Sequence, residues 1–140
     1  MGETSVLADT DGGNGGLLLA QAAVLTQDGT LTSLSFYART AAGQLRLGVY
    51  NAAGQIVVQT AAFTPVVGWN TQAVGQVPVV AGNYWLAYTP SSSNLTFPVD
   101  QGNGSCRWVS RTFQAMPPTF PAVSGSNPCH WSFYATLSVP

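Results

Sequence analysis

Lysine is missing altogether from this 140-residue chain, and charged side chains make up only 6% of it. An ordinary globular domain carries about 25%. The four basic residues are Arg39, Arg46, Arg107 and Arg111, and the net charge is −1. A charge this low and this scattered gives no electrostatic footprint for nucleic acid or an anionic membrane, so both are excluded as partners. Long apolar runs are missing too. Apolar residues reach 46% but are interspersed with Gly, Ser, Thr, Asn and Gln, and no run approaches the roughly 20 residues of a membrane-spanning helix. The low charge therefore reads as a surface rich in hydroxyls and amides, or as surface hidden in an oligomer.

Histidine occurs once, as His130, and cysteine twice, as Cys106 and Cys129. That excludes a zinc site of the Cys/His type. The cysteines are either free thiols or a disulfide. The lysine-free, Gly/Ser/Thr-rich background favours the disulfide, which implies an oxidising, extracellular setting for a secreted protein. Its closure would stabilise the fold by about 3–4 kcal/mol in the chain-entropy model. No apolar leader opens the chain, so an export signal would lie outside it.

What is abundant is strand pattern. Gly or Pro interrupts nearly every helical window, while period-2 alternation recurs throughout. Segments 17–25, 31–40, 44–50, 55–60, 68–74, 82–89, 95–99, 106–111 and 130–139 read as about nine strands. Their spacing predicts one all-β domain over 1–140, an antiparallel β-sandwich or a barrel rather than an α/β fold. Ala41-Ala42-Gly43 reads as the turn of a hairpin joining 31–40 to 44–50. One long Pro- and Ser-rich loop, 113–129, breaks the rhythm. A disulfide would tether it, either as plain structure or as a shaped binding loop.

The strand GNYWLAY (82–88) is unusual because neither face is polar. Tyr84, Leu86 and Tyr88 share one side, and Trp85 and Ala87 the other. An antiparallel strand normally keeps one face for water. One side here is core; the other is a ligand platform or is packed under a loop such as 113–129.

Catalytic groups are scarce. His130 beside Cys129 reads as a hydrogen-bonded strand-end histidine. The five carboxylates, Glu3, Asp9, Asp11, Asp28 and Asp100, offer no evident facing pair of the kind a glycosidase needs. In ADTDGGNGG (8–16), Asp9, Asp11 and Asn14 are oxygen donors in a glycine-rich loop, a pattern that suits Ca²⁺. The downstream bidentate Glu is missing, so a structural Ca²⁺ stands beside a plain turn. Asp100, Gln101 and Asn103 form a second such cluster. No cofactor is required by any of these patterns.

Aromatic residues remain. Sugar rings stack their C–H faces on indole and phenol rings, while amides, carboxylates and guanidinium groups take the hydroxyls; apolar surface with a few converging polar groups is the general form of a ligand site. Trp69 and Trp131 read as core, Trp85 reads equally as core or as exposed, and Trp108, flanked by Arg107 and Val109, reads as exposed.

The motifs LTSLSFYA, GQLRLGVYNAAGQ, GWNTQAV, AGNYWLAYTPSSSNLTF and FQAMPPTFP…HWSFYATL follow one another over about 110 residues. The succession resembles β-sandwich accessory modules of secreted bacterial polysaccharide-degrading enzymes and surface proteins, that is, carbohydrate-binding modules. The resemblance implies a jelly-roll sandwich, binding of cellulose, hemicellulose or a similar polysaccharide, a linked catalytic domain, and no catalysis by the module. Trp108, Trp85, Tyr84, Tyr88 and Tyr37 are the expected stacking residues, with Asp100, Asn103, Arg111 and Arg39 as hydroxyl partners. The alternative expectation is an oligomerising structural or attachment domain, such as a phage fibre head or adhesin, which would also need an apolar outer face.

Overall fold

Alternation of apolar and polar residues, interrupted by glycine turns, builds ten strands and no helix in the computed structural model, which describes residues 1–140. They are β1 (Asp9–Asp11), β2 (Leu17–Leu25), β3 (Gly29–Ala38), β4 (Leu45–Asn51), β5 (Ile56–Gln59), β6 (Gly68–Val79), β7 (Gly82–Pro90), β8 (Phe97–Ser110), β9 (Gly125–Trp131) and β10 (Phe133–Ser138). Every pairing is antiparallel. One sheet has seven strands in the order β1-β8-β2-β7-β4-β5, with β9 also paired to β8; the other has three, β10-β3-β6.

The inward residues of the two sheets form a core of 22 buried residues. Phe36 of β3 stands at its centre, with its ring 4.9 Å from Tyr88, 5.3 Å from Phe97 and 5.4 Å from Phe133. Tilted and edge-on rings at these spacings are the favoured aromatic arrangement.

Three sequence expectations are corrected here. Segments 31–40 and 44–50 are not a hairpin: β3 pairs with β10 and β6, whereas β4 pairs with β7 and β5. Both strands have one strongly apolar side, and these sides face each other across the core instead of lying side by side. The linker crosses between the sheets, held where the Arg39 N–H donates to the Thr96 carbonyl at 2.8 Å. Segments 95–99 and 106–111 are the two ends of one long strand, β8, whose pairing to β9 shifts register between Gln101 and Cys106 and throws residues 102–105 outward. Segment 130–139 is split at Ser132, where the chain leaves the large sheet for the small one.

That crossing leaves backbone groups without ladder partners, and buried ones must be satisfied. The buried Gln21 side chain does this. Its Oε1 accepts from the Trp131 N–H at 2.8 Å, and its Nε2 donates to the carbonyls of Trp131 and Phe133, both at 3.3 Å.

Cys106 and Cys129 are disulfide-bonded with Cα atoms 5.2 Å apart, and both are buried. A buried disulfide is compatible with an oxidising, extracellular compartment.

The two-sided strand GNYWLAY is β7, the middle of the large sheet. Tyr84, Leu86 and Tyr88 belong to the main core. On the opposite face, Ala87 joins Leu18, Ala20, Tyr50, Met116 and Phe120 in a second buried cluster, against which Trp85 packs. Small residues of adjacent strands, Ala20, Ala87 and Gly48, line up in register and make a trough. Met116 fills it so closely that a Cβ on Gly48 would sit 2.5 Å from its sulfur. The segment between β8 and β9 thus forms a strap across the outer face. Its backbone is fixed by Ile56 N–H to Pro118 O at 2.8 Å, Phe120 N–H to Gly54 O at 2.8 Å, and Tyr50 Oη–H to Pro117 O at 2.8 Å.

Candidate ligand cleft

Seven strands cannot be covered by three. Where the small sheet ends, the inner face of β2, β8 and β9 opens into a cleft of about 470 Å³. Leu17 and Trp108 form its apolar wall, Asp11 and Asn14 one polar rim, and Gln101 and Asn127 the other. Trp131, 2% exposed, lies at the floor. No Arg, His or Lys lines the space.

Trp108 reaches the cleft through strand alternation. It lies directly opposite Leu19 of β2, an inward residue, so Arg107 and Val109 point to the outer face. Its ring lies against Gly125 of β9, where a Cβ would come within 2.4 Å of the indole Cζ2. The glycine thus makes room for the half-buried ring.

Asp11 is held by donors. Its Oδ1 accepts the Gly12 N–H at 2.8 Å, and its Oδ2 accepts the Trp131 indole N–H at 3.0 Å and the Asn14 amide at 3.3 Å. Asn14 also donates to the Tyr88 phenol oxygen at 3.1 Å. Burial first, and the Asp11 charge second, push that phenol well above the usual tyrosine range. Of the residues expected to hold calcium, Asp11 and Asn14 are bonded to each other, Asn14 turning its N–H₂ to the carboxylate, and both Asp11 oxygens accept N–H donors. Asp9 contributes its backbone carbonyl to Arg39. No group of three His, Cys, Asp or Glu side chains gathers anywhere in the chain.

The other expected ligand residues fall in separate places. Tyr84 and Tyr88 are core, and this corrects their expected stacking role: Tyr84 donates its hydroxyl to the Val80 carbonyl at 2.7 Å, and the Tyr88 ring is fully buried. Trp85 is covered by the Arg107 guanidinium, 3.9 Å from the ring centroid, which also lies 4.4 Å from Phe120. Cation–π stacking favours this sandwich, and it leaves the Arg107 Nε buried without a hydrogen-bond partner. Burial lowers the Arg107 pKa. Arg111 holds the strap, donating to the Ala115 carbonyl at 2.8 Å. Arg39 ties down the segment before and within β1, donating to the Leu7 carbonyl and, each at 2.8 Å, to Asp9 O and Thr10 Oγ1.

Tyr37 lies on the outer face of the small sheet, 5.3 Å from Trp69, which in turn is 5.0 Å from Tyr134. Trp69 is therefore a half-buried outer-face residue and not core, as its place at a strand start implied. The three rings stand edge to face, so they present no common flat surface.

Asp100 and Asn103 sit at the outward bulge of β8, where Asn103 donates to both Asp100 oxygens, at 3.3 and 3.1 Å. The Asn103 carbonyl meets His130 Nδ1 at 2.9 Å, and His130 Nε2 meets Glu3 Oε1 at 2.9 Å. Both partners are acceptors, so the geometry is completed by an imidazolium that donates twice. Burial opposes that charge, but the bonds to Asn103 and Glu3, with the nearby Glu3 and Asp100 charges, raise the His130 pKa on balance. For Glu3 burial pulls upward, and the His130 and Ser5 hydrogen bonds outweigh it and lower its pKa.

Of the residues singled out in the sequence, the structure brings Trp108, Asp11, Asn14 and Gln101 into one cleft. Asn127 was missed because segment 113–129 reads as loop, whereas it lies on β9 opposite Cys106. Nothing in the local sequence marks it. The chain matches no protein-family model, no curated protein and no solved structure.

Proposed function

We propose that this chain is a non-catalytic carbohydrate-binding module acting outside the cell, which holds a linked polysaccharide-degrading enzyme on plant or microbial polysaccharide. The observation that carries this reading is the cleft. It combines one half-buried indole with amides from Asn14, Gln101 and Asn127 and a single carboxylate, and it contains no basic group. That donor and acceptor set suits a neutral polyhydroxylated ligand, one ring face on Trp108 and its hydroxyls on the amides. An anionic ligand finds no countercharge there.

Two features support a binding role without turnover. Asp11 is the one carboxylate lining the cleft, and hydrolysis of a glycoside calls for a pair roughly 5–10 Å apart. His130 has both ring nitrogens engaged with fixed acceptors, which leaves no free base. A pull-down against cellulose, xylan, mannan, chitin and mixed-linkage glucan tests the reading. Retention on at least one of them without release of reducing ends is expected; no retention on any, or measurable turnover, would overturn it.

A further inference from the structure

The two rims of the cleft differ in what they offer a ligand. On the rim of Asp11 and Asn14 the side-chain N–H groups are already spent. An indole has one N–H and a side-chain amide has two. Trp131 gives its one to Asp11 Oδ2 at 3.0 Å, and Asn14 gives its two to Asp11 Oδ2 at 3.3 Å and to the Tyr88 phenol oxygen at 3.1 Å. What remains is the Asn14 amide oxygen and the Asp11 carboxylate. A carboxylate accepts at about four lone-pair positions, and Asp11 receives N–H groups from Gly12, Asn14 and Trp131 only. The side chains of this rim therefore accept, and a group that meets them must donate. On the opposite rim the exposed amides of Gln101 and Asn127 both donate and accept.

Charge sharpens the requirement. Asp11 is half-buried and is the one ionised group lining the cleft. The chain's one ion pair joins His130 to Glu3. Arg39, which reaches β1, spends its donors on Leu7 O, Asp9 O and Thr10 Oγ1. The Asp11 carboxylate thus has hydrogen bonds but no cation, and partial burial makes a countercharge worth more there than in bulk water. Trp108 lines the same space, and an indole face attracts a cation.

We propose that the cleft selects amino sugars, a polymer of 2-amino-2-deoxy sugar such as deacetylated chitin, with a ring on Trp108 and its ammonium at Asp11 and Asn14. This rests on the carbohydrate reading of the cleft and narrows it. The hydroxyls of a neutral sugar meet the Asp11 rim as donors; an ammonium meets it as a donor and as the missing countercharge. An N-acetyl group removes that charge and turns a carbonyl acceptor toward acceptors. The amide rim, which suits hydroxyls in either sense, favours a sugar over a lysine-bearing peptide.

Isothermal titration calorimetry of the full chain tests this with β-linked hexamers of glucosamine, N-acetylglucosamine and glucose, and with hexalysine as a cation that is not a sugar. At about pH 5.5 the glucosamine hexamer should bind roughly tenfold more tightly than the other two sugars, the scale of one hydrogen bond to a charged group. Oxygen-bearing neighbours lower a sugar amine toward the α-amino value of about 8, so the preference should vanish at about pH 9. The acetylated hexamer carries any effect of pH on the fold. Asp11→Asn should bind the three sugars alike, with folding checked by circular dichroism. Asp28→Asn, which removes a charge in the turn between β2 and β3, should keep the preference. If Asp11→Asn fails to fold, the wild-type comparison at the two pH values decides. Equal affinity for the three sugars, a preference that survives in folded Asp11→Asn or at the higher pH, or tighter binding of hexalysine than of the glucosamine hexamer would overturn the inference. Equal affinities would leave the carbohydrate reading standing. Binding of none of the sugars would overturn the inference, and the polysaccharide pull-down decides the carbohydrate reading separately.

Discussion

The indole N–H of Trp131 and the carboxylate of Asp11 meet at 3.0 Å across the floor of the cleft. This contact turns a strand-end aspartate into part of the frame on which the cleft is built. Asp11→Ala removes the acceptor of three donors at once, including a nearly buried indole N–H. An unpaired buried donor costs about 1–3 kcal/mol, so the melting temperature should fall measurably in a thermal scan. The same geometry predicts that a chelator leaves the melting curve unchanged, since the Asp11 oxygens already serve N–H donors.

The strap depends on absent side chains below it. Gly48→Val places methyl groups where the Met116 sulfur sits, and overpacking of this kind costs about 1–3 kcal/mol. Limited proteolysis should then cut within residues 112–121 faster than in the wild type. Equal cleavage rates would show that the strap does not depend on the trough.

The His130–Glu3 pair gives stability over a defined pH window. His130 has a folded pKa raised above the ordinary histidine value of 6.5, so its contribution is fully present below that value and is lost as pH rises through the folded pKa. Glu3 is lowered from 4.5, so its contribution is present above 4.5 and is lost as pH falls through the folded pKa. The melting-temperature difference between wild type and His130→Gln should therefore be largest near pH 5–6. It should shrink toward both neutral and strongly acidic pH. Asp100 faces the same ring, and Asp100→Asn should narrow the window from its alkaline side.

The disulfide closes a loop with a sequence separation of 23 and pins the β8–β9 pair beside the cleft. Replacing both cysteines with serine should cost about 3–4 kcal/mol in the loop-entropy view. Denaturant unfolding with and without reductant measures it.

Much of the fold was legible because alternation is strong in the strands that have one polar face. Alternation in 130–139 sets Trp131, Phe133, Ala135, Leu137 and Val139 on one inward face, and in 44–50 Leu45, Leu47 and Val49; all are in or against the core except Val139, which lies past the end of β10 and is 58% exposed. The β4–β5 turn was legible in Asn51-Ala-Ala-Gly54, where Gly54 adopts φ +80° and Asn51 Oδ1 accepts the Gln55 N–H at 2.9 Å. The cross-sheet jump between β3 and β4 was not, because a short linker between two amphipathic strands has the same pattern in a hairpin and in a crossover. The two-sided strand β7 could be read as needing a second partner, and the strap supplies it. Which aromatic belonged to which side was decided by the strap's Met116 and Phe120, remote in sequence. The cleft was hardest to see: it exists because two sheets of unequal width meet, and no single segment encodes that.

Under the proposed function Trp108 is the residue on which a sugar ring stacks, and affinity electrophoresis in gels containing the retained polysaccharide measures its part in binding. Trp108→Phe keeps a ring against Gly125, and Asn127→Ala removes an exposed amide from the rim. Both should fold as the wild type does and bind more weakly, whereas Tyr37→Ala, on the outer face of the small sheet, should migrate with the wild type. Undiminished retardation of both cleft variants, or loss of it in Tyr37→Ala alone, would contradict the assignment.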